Sequence, residues 1–149
     1  MPRSFPVVLL AAVIVGCGPS AELEGIRRET NDAAERFQDR LDANRQRVTQ
    51  ASEAVDEASV VEAQARRHLD AVLNDADSTS QDREEANRGS VSAYRSLEAA
   101  SSRMDVVIAE GEAAQDKELK TWRGLYERCM ALREEAAETG GCGPIPPDR

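Results

Sequence analysis

The spacing of apolar residues constrains the fold of this chain more than any other feature of its sequence. From Leu23 onward, apolar residues recur every three or four positions, and no proline occurs between Pro19 and Pro144. This spacing places side chains on one face of an α-helix, and the 4–3 alternation from Leu41 to Val72 is typical of a coiled coil. The predicted seam of this first helix consists of Leu23, Ile26, Thr30, Ala33, Phe37, Leu41, Asn44, Val48, Ala51, Val55, Ala58, Glu62, Ala65, Leu69 and Val72.

A polar segment at residues 74–80 interrupts the spacing and predicts a turn. Ser78, with Gln81 three positions later, fits a capping box that would start a second helix. That helix is expected to end near Glu138, because Gly140-Gly141 supplies a stop and the three prolines beyond it forbid continuation. Its predicted seam consists of Ala86, Ser90, Ala93, Leu97, Ala100, Met104, Val107, Gly111, Ala114, Glu118, Trp122, Leu125, Cys129 and Leu132.

The two seams match when the chain folds back at the turn. Large residues then mostly face small ones, which allows close packing. Asn44 falls opposite Gly111, either as a polar layer that fixes the register or as a tolerated half-wet layer. Both seams also slip register at the same layer, near Phe37 and Glu118, and matched slips keep the seams in contact. The sequence therefore predicts an all-α fold, a long antiparallel two-helix coiled-coil hairpin, with dimerisation into a four-helix assembly left open.

Composition narrows the range of partners. The chain has 28 acidic and 19 basic side chains, a formal net charge of −9 at pH 7. Such a chain repels nucleic acid and anionic lipid head groups, so neither is an expected partner. Aromatic residues are few. Helices do not need many of them, whereas a β-sandwich would be expected to contain more. No phosphate-binding loop, nucleophile elbow or paired-cysteine motif is present, and no catalytic residue, cofactor, metal or small-molecule substrate is predicted.

The first seventeen residues carry a targeting pattern. A basic residue, Arg3, precedes an apolar run from Phe5 to Val15 that is too short to span a membrane as a helix. The sequence Ile14-Val15-Gly16-Cys17 resembles the lipobox of bacterial lipoproteins. The resemblance implies cleavage between Gly16 and Cys17 and acylation of Cys17, which would anchor the exported protein to the envelope membrane. The alternatives are a plain signal peptide or a mistaken start codon.

We divide the chain accordingly into a signal peptide at 1–16, a short lipidated linker at 17–22, the hairpin at 23–138 and a Gly/Pro-rich tail at 139–149. Gly18 is compatible, by family analogy, with the periplasmic side of the outer membrane in a Gram-negative host. Export also brings Cys129 and Cys142 into an oxidising compartment. Their spacing allows an intramolecular disulfide, while free thiols and an intermolecular link remain alternatives.

Several residues flank the seams. Val61, Tyr94 and Ile108 are interpreted as one stripe beside the seam, either extra hairpin packing or a contact with a second helix pair. His68 is the one histidine of the chain and is interpreted as a half-exposed packing residue. Trp122 and Tyr126 are expected to pack in the core, with a membrane or partner contact as the alternative.

These features favour a non-enzymatic, lipid-anchored rod that contacts an unidentified envelope protein. Lipid-anchored coiled coils such as the murein-linked lipoprotein look similar in plan. This chain departs from that family in folding back and in ending without the terminal lysine used for wall attachment. The alternative function is a periplasmic chaperone-like or inhibitor module that grips a client with an exposed helix face.

Overall fold

The protein is an antiparallel hairpin of two long helices in a computed structural model that describes residues 19–148. Helix α1 spans Pro19–Asn74 and helix α2 spans Ser80–Glu135, each with 56 residues. At about 1.5 Å per residue, each helix is roughly 84 Å long. The two helices pack against each other along their length. The predicted all-α helical hairpin is therefore confirmed.

The predicted seams lie between the helices. Every seam residue on either helix is buried or half-buried, whereas most other helical positions are exposed. The register is visible in ion pairs that cross the hairpin, from Glu22 to Arg128 and from Arg47 to Glu110, each at 2.8 Å. These pairs are exposed and contribute little stability, so the hairpin depends on burial along the seam.

The N-cap of α2 lies one residue later than predicted. Thr79, not Ser78, is the N-cap, and its partner three residues on is Asp82 rather than Gln81. The Thr79 hydroxyl accepts a hydrogen bond from the Asp82 N–H at 3.2 Å, and the Asp82 carboxylate accepts from the Thr79 N–H at 2.9 Å. A carboxylate so close to a helix N-terminus also interacts favourably with the helix dipole, an advantage that the Gln81 amide lacks.

Helix α2 ends at Glu135, earlier than the predicted Glu138. The residue that terminates it with a positive φ is not a glycine. Ala137 adopts the left-handed conformation with φ 52°. The Ala137 N–H then bonds to the Glu134 carbonyl and the Glu138 N–H bonds to the Arg133 carbonyl. This pair of bonds is a Schellman motif, which usually has glycine at the left-handed position. The prediction that the glycines at 140 and 141 stop the helix is therefore wrong, and both belong to the tail.

Packing is concentrated at the open end, the end of the hairpin where α1 starts and α2 finishes. Leu23, Thr30 and Cys129 are fully buried there. Trp122 and Leu119 form a second cluster with Ala33, against which Phe37 packs. Leu119 is missing from the predicted seam, because the register slip turns two consecutive residues, Glu118 and Leu119, toward α1.

The shaft, residues 41–72 of α1 and 86–114 of α2, is thinner. Its large seam residues, such as Leu41, Leu69 and Leu97, are only half-buried. Its fully buried positions are the small residues Ala86 and Ala93 and a glycine at 111. Two helices alone thus cover the shaft core incompletely, which leaves its flanks accessible to other molecules.

Candidate functional site

The predicted lipidation residue, Cys17, and the cleavage position after Gly16 lie outside the described residues. In sequence, Cys17 stands two positions before Pro19, the first residue of α1. Proline suits the first position of a helix because its fixed φ is already helical and its missing N–H is not needed there. Residues 19–22, which the predicted linker at 17–22 includes, therefore already belong to α1.

The structure joins Cys129 and Cys142 in a disulfide with an S–S distance of 2.02 Å. Both cysteines are buried, in a cluster with Leu23 and Ile26 of α1. The bond ties the tail to α2 in the interior of the open end. Since the same cluster includes α1, the disulfide belongs to the packing that holds the two helix ends together.

The tail that follows α2 crosses over the open end and contacts both helices. Glu138 forms an ion pair with Arg27 of α1 at 3.3 Å. A side chain at Gly140 would overlap the guanidinium of Arg27, and one at Gly143 would overlap the Asn31 side chain. Arg123 of α2 donates a hydrogen bond to the carbonyl of Pro147. We call residues 136–148 the strap, because this segment holds α1 against α2 beside the predicted anchor.

The two aromatic residues near the open end belong to its core. Trp122 is 6% exposed, and its ring centroid lies 5.6 Å from that of Phe37. Tyr126 is half-buried and packs against the cluster around Cys129. This agrees with the core-packing interpretation of both residues, and a buried Trp122 ring is not available to a membrane.

His68 is more exposed than the predicted half-exposed packing residue. Its side chain is exposed and lines an open groove of about 640 Å³ at the tip, together with Asp75, Asp82 and Glu85. The groove has several carboxylates, but residues 19–148 contain no group of three or more His, Cys, Asp or Glu side chains that suits a metal ion. The tip groove is an acidic feature of the exposed surface.

One carboxylate at the tip has a shifted pKa. The side-chain hydrogen bond from the Thr79 hydroxyl, at 2.7 Å, and the backbone hydrogen bond from the Thr79 N–H hold the pKa of Asp82 below its ordinary value. The charged form of Asp82 thus stabilises the start of α2. The shift has a structural cause in the capping box and indicates no catalytic role.

The structure does not bring Val61 and Tyr94 onto one stripe. Tyr94 lines a groove of about 600 Å³ with Arg66 and Val91. Ala54, one heptad before Val61, lines a different groove of about 290 Å³ with Arg103. In an antiparallel pair, the positions just before the first seam residue of each heptad share one edge, and those after its second seam residue share the other edge. The two residues therefore lie on opposite edges.

We name these surfaces the Tyr94 edge, defined by Arg66, Val91 and Tyr94, and the Val61 edge, defined by Ala54, Val61 and Arg103. Ile108 is two heptads after Tyr94, lies on the Tyr94 edge and is half-buried. Val61 and Tyr94 are 53% and 58% exposed, so neither contributes extra packing to the hairpin. Matching the two seams correctly predicted that Asn44 faces Gly111, but it could not assign the edges.

Comparisons with protein-family models, curated proteins and solved structures give no significant match to this chain. Neither described helix has an apolar stretch long enough to cross a membrane. The candidate functional features are therefore those of the molecule itself: the cysteine before α1, the strapped open end, the acidic tip and two exposed edges.

Proposed function

We propose that this protein is a lipid-anchored lipoprotein of the bacterial cell envelope, non-enzymatic, whose hairpin acts as a structural or protein-interaction module. The observation that carries the proposal is the sequence Ile14-Val15-Gly16-Cys17 directly before a helix that begins at Pro19. Acylation of Cys17 and cleavage before it would attach the open end of the rod to the membrane. If the host is Gram-negative, Gly18 favours the periplasmic side of the outer membrane.

The shape of the hairpin supports this function. With the open end at the membrane, a helix of 56 residues carries the tip roughly 84 Å away. The strap reinforces the end that would bear the anchor. The tip exposes Asp77, so an envelope protein with a basic surface is the partner that suits it by charge.

Replacement of Cys17 by serine tests the anchor, because serine cannot form the thioether. We expect the Cys17→Ser variant to leave the membrane fraction and to lose incorporation of labelled palmitate while its helicity is unchanged. The matched control is the double variant Cys129→Ser and Cys142→Ser, which removes the other two cysteines and is expected to stay in the membrane fraction. Membrane retention of the Cys17→Ser variant would refute the anchor.

The alternative is a chaperone-like or inhibitor module, and one feature favours it. Tyr94 and Val91 are 58% and 43% exposed on the Tyr94 edge, where an apolar client segment could bind. Photo-crosslinkers at Asp77 and at Tyr94 distinguish the two functions. A single protein crosslinked from Asp77 supports the structural or protein-interaction module, whereas many proteins crosslinked from Tyr94 support the chaperone-like module.

A further inference from the structure

The Val61 edge differs from the Tyr94 edge in how its charges are arranged. Toward the open end, basic residues are in excess on both helices, with Arg36, Arg40 and Arg47 on α1 and Arg103 and Lys117 on α2. The acidic residues among them are Asp39, Glu110 and Glu118. Toward the tip, it carries Asp75, Asp82 and Glu85, with His68 among them. The edge is therefore basic in one half and acidic in the other.

The centre of this edge, between the two charged halves, is nearly uncharged. Val61 is 53% exposed there and Val106 is 55% exposed nearby. Glu57 adds one negative charge in this interval, and the other edge positions are small or uncharged: Ala54, Gln64, Ser92, Ser96 and Ala99. The exposed valines are apolar surface that the hairpin itself leaves uncovered.

We propose that the Val61 edge binds the same edge of a second copy of this chain, with the two hairpins antiparallel and the two-fold axis near Val61. This arrangement brings the basic half of each copy onto the acidic half of the other. In a parallel arrangement, the acidic ends of the two copies would face each other, which is unfavourable. The charge pattern thus selects both the partner and its orientation.

The position of the axis follows from the heptads. Arg47 lies two heptads before Val61, and Asp75 lies two heptads after it, directly beyond the end of α1. A two-fold axis at Val61 therefore brings Arg47 of one copy near Asp75 of the other. On α2, Arg103 and Glu85 flank the same central interval and make no ion pair within the described hairpin, so both are free to pair across the interface.

The size of the surface is adequate for a stable dimer. The interval between Arg47 and Asp75 is about 42 Å long at 1.5 Å per residue, and two helices of about 10 Å diameter make it roughly 20 Å wide. The product, about 800 Å² per copy, is the size of a standard protein interface. Such a four-helix contact would also cover the half-buried seam of the shaft on this side.

The Tyr94 edge does not fit a second copy. Acidic residues recur along its whole length and outnumber its basic residues Arg45, Arg66 and Arg95: Asp42, Asp56, Asp70, Glu84, Glu98, Asp105 and Glu112. Two such edges would bring an excess of negative charge together in either orientation. The self-contact therefore belongs to the Val61 edge, and the Tyr94 edge remains exposed in the dimer.

This inference stands independently of the lipid anchor, but the two together have a consequence. In an antiparallel dimer, the two open ends point in opposite directions. Lipid anchors at both N-termini would then lie at the two ends of the assembly, so that the dimer would suit two facing membrane surfaces. The Cys17→Ser variant separates the proposals, since it is expected to lose membrane attachment and to keep the dimer.

The test places a photo-reactive benzoylphenylalanine at Val61 in the full-length chain, in intact cells and in the purified protein in detergent. The matched control has the same group at Tyr94, on the opposite edge. We expect a crosslinked homodimer from Val61 and none from Tyr94. A homodimer from Tyr94, a different protein captured from Val61, or no crosslink from Val61 would overturn the proposal.

Charge reversal tests the orientation. Reversing the basic half with Arg47→Glu and Arg103→Glu is expected to reduce the Val61 homodimer at least tenfold, and so is reversing the acidic half with Asp75→Lys and Glu85→Lys. All four changes in one chain restore complementary halves and are expected to restore the dimer. These side chains are exposed, but within one chain Arg47 pairs with Glu110 and the Asp75 carboxylate accepts a hydrogen bond from the Asp77 N–H. Circular dichroism and urea unfolding therefore check that each variant keeps the hairpin before its dimer is measured. Failure of the fourfold variant to recover would refute the antiparallel arrangement.

Discussion

The side-chain amide of Asn44 occupies the space that a side chain at Gly111 would need. A Cβ atom at Gly111 would overlap Asn44 Oδ1 and Nδ2 of the facing helix. Asn44 Oδ1 is itself buried and accepts no hydrogen bond in the described structure. The layer therefore combines a close helix approach with an unsatisfied polar atom, which suits a register-fixing role better than a role in stability.

The Gly111→Ala substitution is expected to destabilise the hairpin by about 1–3 kcal/mol, because it overpacks the layer against Asn44. The matched control is Gly89→Ala, where a Cβ would meet no atom within 4 Å. That change should instead stabilise α2 by up to about 1 kcal/mol, since alanine is the better helix former. Urea unfolding followed by circular dichroism measures both effects, and equal effects of the two substitutions would contradict this packing.

Loss of the disulfide is expected to weaken the open end. The Cys142→Ser variant should lose about 3 kcal/mol of unfolding free energy, as for a closed loop of about 15 residues. A thiol reductant should produce a similar loss in the unmodified protein once it reaches the buried bond. The Cys17→Ser variant is the control, because it leaves Cys129 and Cys142 intact, and it should unfold at the same urea concentration as the parent chain.

The left-handed Ala137 offers a stabilising substitution. Glycine adopts positive φ without the steric penalty of a Cβ atom, so Ala137→Gly should raise the unfolding free energy by roughly 0.5–1 kcal/mol. The neighbouring Ala136→Gly change is the control, because Ala136 has a right-handed helical conformation with φ −81°. It should have no stabilising effect, and a larger gain at Ala136 than at Ala137 would contradict the observed helix ending.

The capping box predicts an acid dependence of stability. Because hydrogen bonds from Thr79 lower the pKa of Asp82 in the folded protein, its charged form contributes stability above its unfolded pKa, about 3.9. That contribution is lost as the pH falls through this value toward the folded pKa. Asp82→Asn should therefore reduce the drop in melting temperature between pH 5 and pH 3, whereas Asp77→Asn on the same turn should change it less.

Much of the fold could be predicted because helical periodicity is local. The seams from Leu23 to Val72 and from Ala86 to Leu132, and their matched register slips, follow from residue spacing alone. The predictions that were wrong, those of the N-cap and of the end of α2, concern details that depend on three-dimensional geometry. Thr79 competes with Ser78 for the cap, and the sequence could not show that Ala137 would accept a positive φ where glycine is usual.

The candidate surfaces were harder to predict than the fold. The facing layers in an antiparallel pair follow from matching the two seams on either side of the turn. The edges depend in addition on the handedness of both helices, and the handedness places Val61 and Tyr94 on different edges. Heptad positions could have revealed the separation, because the two residues hold different positions relative to their seams. The contacts of the strap with Arg27 and Asn31 had no periodic signal, since a Gly/Pro-rich tail has no regular structure.

The most direct test of the central claim is the intact mass of the protein isolated from its host membrane. We expect a chain that begins at Cys17, with a mass increased by a diacylglyceryl group and an N-linked acyl chain, and with Cys129 and Cys142 oxidised. Digestion should place all added lipid on the N-terminal peptide. An unmodified chain that retains residues 1–16, or one cleaved without acylation of Cys17, would contradict the claim that this hairpin is a lipoprotein.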